Sequence, residues 1–151
     1  GGNYPGGWLH EKLRGEGLVY EVHAFNLFGL DHRHFQIQAI TNPASVEKVK
    51  AIVLQQIERI KKGEFTDDEL AIARKIAITE DITEHQTNSQ QAMAAAVDEL
   101  YGLGYDFSSQ FPRRIEAVTR QDVLRVANKY LTNFATAIVT QKQEEKNPGQ
   151  K

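Results

Sequence analysis

The 151-residue sequence has no cysteine. No disulfide can form, no thiolate can hold a metal, and no cysteine can serve as a nucleophile. Proline is confined to four positions, and tryptophan and methionine occur once each. No apolar run approaches the ~20 residues that would span a bilayer as a helix. The net charge is −2, with no basic stripe, which excludes a strong electrostatic footprint for nucleic acid. The opening Gly-Gly-Asn-Tyr-Pro-Gly-Gly lacks the basic start and apolar centre of a secretory leader, and reads as a glycine-rich loop or a flexible terminus. Localisation stays open between cytoplasm and periplasm. Neither H-x-x-E-H nor H-E-x-x-H occurs anywhere in the chain.

What remains is the composition of an ordinary globular domain, 40% apolar and 25% charged, long enough to bury a core. Residues 1–142 read as part of one domain. Residues 143–151, almost entirely polar, read as a disordered tail. The stretch Leu13–Phe25 organises the rest. A helix carrying Trp8, Leu9, Leu13 and Arg14 stops at Gly15, and a strand runs from Gly17 to Leu27. Its alternation puts Leu18, Tyr20, Val22 and Ala24 on one face and Val19, Glu21, His23 and Phe25 on the other. A turn over Gly29–His32 leads into a return strand, Arg33–Thr41, in which Phe35, Ile37, Ala39 and Thr41 alternate with His34, Gln36, Gln38 and Ile40. One polar and one apolar face predict an antiparallel sheet covered on a single side.

Asn42-Pro43 reads as an N-cap followed by proline at the first helical position. Val46, Val49, Val53, Ile57 and Ile60 then form an apolar stripe that should lie across the sheet, and Lys61, Lys62 and Gly63 close the helix. Thr66-Asp67-Asp68-Glu69 is a capping box flanked by Phe65 and Leu70, and Thr119 with Asp122 is a second. The first opens a helix through Ile72, Ile76 and Ile82, with a break near Thr87–Ser89. A helix from Gln90 to Tyr101 follows, ended by Gly102 and Gly104, and then a short one with Phe111, Ile115 and Val118 inward. The second box opens a helix with Val123, Val126, Ala127 and Tyr130 toward the core. Phe134–Gln141 reads as a third strand.

Two side chains carry candidate chemistry. Arg14 ends its helix and Tyr20 lies just inside the strand, so a guanidinium and a phenol flank one tight turn. Together they could hold a peptide carbonyl or a carboxylate. Each also has a plain structural reading: Arg14 as a cation at a helix C-terminus, Tyr20 as a half-buried strand aromatic. His32 and His34, spaced i, i+2 at the hairpin, read as solvated turn residues. His10-Glu11 lacks a second histidine at helical offset, and His85 reads as a surface residue. No metal ligands are assigned to this chain.

The run Leu13-Arg14-Gly15-Glu16-Gly17-Leu18-Val19-Tyr20 resembles the L-R-x-x-x-G-L-x-Y pattern of the pitrilysin/insulinase zinc metallopeptidases, which include the mitochondrial-processing-peptidase-like proteins. It is one residue shorter between arginine and glycine. The order that follows is similar too: hairpin, long helix, Gly-x-Phe-Thr-x-x-Glu-Leu junction, further helices, closing strand. The resemblance implies an α+β fold, a LuxS/metallohydrolase-like half-domain with an antiparallel sheet helix-covered on one face, here with an incomplete sheet. It implies the C-terminal, non-zinc domain of a metalloendopeptidase, closing the substrate chamber and contacting peptide substrate through Arg14 and Tyr20. Zinc then belongs to a separate N-terminal domain or partner subunit, and this chain alone should bind no cofactor and hydrolyse nothing. Three strands leave open edges, so self-association of the chain is a further expectation. The alternative is a catalytically silent relative acting as scaffold or partner subunit.

Overall fold

The computed structural model describes residues 7–27 and 34–140. The expected loop over 1–6, the turn with His32, the start of the return strand at Arg33, and the tail 143–151 lie outside the described residues.

The fold is α+β. A helical segment from Trp8 widens into a π-helical turn at His10–Arg14. Strands β1 (Val19–Leu27) and β2 (His34–Thr41) follow, paired antiparallel. A 3-10 turn at Pro43–Ser45 leads into helix α1 (Val46–Lys61). Helices α2 (Asp67–Glu84), α3 (Asn88–Leu100), α4 (Phe111–Glu116) and α5 (Arg120–Tyr130) complete the order.

The core forms where the first helical segment, the hairpin and α1 meet. Leu13, Val19, Val22 and Val49 are buried there, and Leu9, Leu18, Ile37, Ala39, Ile52 and Val53 pack around them. Helix α1 therefore covers one face of the hairpin, as its stripe predicts. The strand alternation, in contrast, does not hold. The pairing register shifts between Val19 and Glu21, a β-bulge at Tyr20. One extra residue on one strand reverses the facing of what precedes it. Val19 and Val22, expected on opposite faces, are thus both buried, and Tyr20 is turned outward and 66% exposed.

Local signals placed the helix starts. Thr66 and Thr119 cap α2 and α5 through the expected boxes, and Thr87 with Gln90 makes a third, which starts α3 two residues before the expected Gln90. Arg120 locks the α1–α2 junction onto α5. Its Nη1 donates to the Gly63 carbonyl at 2.7 Å, and its Nη2 donates to the Phe65 carbonyl and approaches Asp67 Oδ1 at 3.4 Å.

Two further expectations fail. Residues 134–140 form no strand, and Gln141 lies outside the described residues. An extended segment becomes a strand only by finding a ladder partner, and among the described residues the sheet has two strands. Val126 and Tyr130 are exposed, because α5 meets α1 over a narrower face centred on buried Ala127. Along α2, Ile72 and Ile82 are exposed, since α2 is covered chiefly where it meets the short α4.

Candidate functional site

Leu13 is wholly buried and anchors the π-helical turn in the core, while its neighbour Arg14 remains at the surface. The chain then reverses sharply. The Gly15 amide bonds back to the His10 carbonyl at 3.0 Å, the Gly17 amide to the Arg14 carbonyl at 2.9 Å, and the Leu18 amide to the Leu13 carbonyl at 2.8 Å. Two glycines make the reversal feasible. A Cβ on Gly15 would overlap the Glu11 carbonyl oxygen, and Gly17 has φ +68°, a left-handed conformation that disfavours a side chain.

This reversal and the bulge bring the two candidate residues together. Arg14, Gly17, Leu18, Val19, Tyr20 and Asn42 line one open groove of about 360 Å³. Asn42 is the member that the sequence reading misses. It was expected to cap the helix, but its side chain makes no capping bond. Its Oδ1 instead accepts a hydrogen bond from the Tyr20 hydroxyl at 3.3 Å. Thr41, beside it, donates through its hydroxyl to the Leu18 carbonyl at 2.5 Å, which ties the end of β2 to the start of β1. Only the antiparallel pairing makes residues 20 and 42 neighbours, so no local sequence signal could have shown it.

The arginine-bearing segment is held at its start by one carboxylate. Trp8 Nε1 donates to Glu69 Oε1 at 2.7 Å, and Arg59 Nη2 donates to the same oxygen at 3.2 Å. The Arg59 guanidinium lies 3.5 Å from the centroid of the Trp8 ring, a cation–π contact. Glu69 Oε2 accepts from the Thr66 amide at 2.7 Å. That amide and the Trp8 indole, with Arg59 adding its charge, hold the Glu69 carboxyl below its ordinary pKa.

The histidines do not converge. His34 is exposed at the start of β2, His23 contacts Glu21, and His85 bonds to the Asp81 carbonyl at 2.8 Å. His32 lies outside the described residues. Among the described residues, no three His, Cys, Asp or Glu side chains are grouped to hold a metal ion, so these residues do not fit a zinc centre. Among them, too, no helix is long and apolar enough to cross a membrane.

The described residues thus form an α+β half-domain with an arginine and a tyrosine on one groove. The family described as "Peptidase M16 inactive domain" matches residues 2–77, and the chain belongs to it. It is thus a non-catalytic domain of the M16, pitrilysin/insulinase-type metallopeptidases. Among solved structures, a protease from Helicobacter pylori shares the fold with a TM-score of 0.68 and 24% sequence identity, over 86% of this chain. The match spans 32% of the Helicobacter chain. No curated protein matches significantly.

Proposed function

We propose that this domain closes the substrate chamber of a zinc-dependent metalloendopeptidase and contacts the peptide through Arg14 and Tyr20. One observation carries the reading: both side chains line the same open groove, although neither is needed to fill the core. Zinc, held in a companion domain, would supply Lewis-acid chemistry there. The residues of this chain bind and orient. The Arg14 guanidinium offers a planar fork of N–H donors to a substrate carbonyl or carboxylate. The Tyr20 hydroxyl offers one more donor to negative charge developing on the scissile carbonyl oxygen, a stabilisation that needs no proton transfer by this chain.

The test is steady-state kinetics on the peptidase assembled from this domain and its zinc-bearing companion. Arg14→Lys keeps the charge and loses the fork, so it should lower kcat more than it raises KM. Tyr20→Phe removes one hydroxyl and should cost on the order of 10²-fold in kcat, like loss of an oxyanion donor. Near-normal turnover in both variants would instead make the domain a scaffold.

A further inference from the structure

Asn42 stands in a position where its side chain would ordinarily cap a helix, immediately before Pro43. It does not do so. Its backbone is extended, at φ −71° and ψ 145°, as expected of a residue preceding proline. Thr66, Thr87 and Thr119 cap their helices from the same extended region, so the backbone leaves capping open to Asn42. Its Oδ1 takes the Tyr20 hydroxyl hydrogen instead.

The partner needs this contact. Tyr20 is the bulge residue, 66% exposed, and its ring has no place in the core. An exposed phenol pivoting about two side-chain torsions offers its hydroxyl in many directions, and fixing it costs conformational entropy at the moment of binding. A hydrogen bond at the ring's far end selects one direction beforehand. Among the described residues this is the bond that the Tyr20 hydroxyl donates, and the Asn42 Nδ2 makes none. Both residues line the groove with Arg14.

We propose that Asn42 is a positioning residue for Tyr20, holding the hydroxyl over the groove so that a bound peptide meets it already oriented. The proposal rests on the substrate-contact reading of Tyr20 given above. When substrate binds, the phenolic hydrogen can turn to the substrate oxygen. The Asn42 carboxamide then turns over and donates through Nδ2 to the phenolic oxygen, so that one hydrogen bond to Asn42 is kept through turnover. The ring need not move, and no covalent bond changes.

A double-mutant cycle tests it in the peptidase assembled from this domain and its zinc-bearing companion, with a fluorogenic peptide as probe. Loss of one neutral hydrogen bond corresponds to about fivefold. Asn42→Ala should therefore lower kcat about fivefold with little change in KM, and should add nothing further in the Tyr20→Phe background. In parallel, the 151-residue chain labelled with 13Cζ-tyrosine should show the Tyr20 resonance, identified by its loss in Tyr20→Phe, shifting in Asn42→Ala. A structural role at the start of α1 would appear as equal losses in both backgrounds, and would overturn the proposal. An unmoved Tyr20 resonance would overturn it as well. If the resonance shifts while Tyr20→Phe is kinetically silent, the contact exists but the substrate-contact reading falls, and the positioning role falls with it.

Discussion

Trp8 and Glu69, 61 residues apart, are joined by an indole N–H···O hydrogen bond of 2.7 Å. Through it the helical segment that ends at Arg14 is fastened to the capping box that starts α2. Glu69→Ala removes the partner of Trp8, the salt bridge to Arg59 and half of the capping box at once. The expected loss is about 1–2 kcal/mol, mainly from the cap and one charge-assisted hydrogen bond. Trp8 is the single tryptophan. Its fluorescence should therefore shift under native conditions in the variant, before any denaturant is added. An unchanged emission together with an unchanged urea midpoint would show that the bond does not form in solution.

Leu13 is the largest fully buried side chain among the described residues, adjoining exposed Arg14. Leu13→Ala should cost about 2–5 kcal/mol, because the transfer free energy is lost and a cavity remains among Val19, Val22 and Val49. Leu100, 73% exposed at the end of α3, serves as the control: Leu100→Ala should fall within about 0.5 kcal/mol of the parent. Urea unfolding of both variants compares them directly. Equal losses would mean that the core does not lie beneath the arginine turn.

The two turn glycines should respond differently to alanine. At Gly17 there is open space but a left-handed backbone, so Gly17→Ala should cost about 1–2 kcal/mol of local strain. At Gly15 the backbone is helical, and the obstacle is the Glu11 carbonyl oxygen. Gly15→Ala must move backbone, so it should cost more than Gly17→Ala and should perturb the amide resonances of Arg14 and Tyr20. The reverse order, by denaturation and amide NMR, would contradict the turn geometry.

Acid should unfold the domain partly through its helix caps. The Thr119 hydroxyl and amide, assisted by Arg125, hold the Asp122 carboxyl down, from 3.8 to about 2. Glu69 is held below its ordinary 4.5 chiefly by the Thr66 amide. A carboxyl whose pKa is lower in the folded state contributes stability that is complete above its unfolded value. That contribution is lost as pH falls through the folded value. Urea midpoints should therefore be flat above about pH 5 and fall toward pH 2. Asp122→Asn should make that fall shallower. Parallel profiles for the two proteins would remove Asp122 as a contributor.

The features legible in the sequence are the ones decided within a few residues. The Thr66/Glu69 and Thr119/Asp122 boxes close over three residues, and both stand where expected. The reversal at Gly15–Gly17 and the apolar stripe of α1 are equally local. Around these, the Leu-Arg…Gly-Leu-Val-Tyr run pointed to the M16 family, and residues 2–77 match it.

What the sequence alone determined was thus the element order as far as α5, two of the helix caps and the family. Tertiary structure decided what lies across space. The bulge at Tyr20 turned that side chain out of the alternation and buried Val19 with Val22, because pairing register belongs to two strands and not to one. The segment 134–140 stayed unpaired despite its β-branched residues, since ladder hydrogen bonds need a partner edge that no local propensity supplies. Asn42 gave its side chain to Tyr20 and not to the helix, a choice between two hydrogen-bond partners that arose only once the hairpin had brought residue 20 beside residue 42.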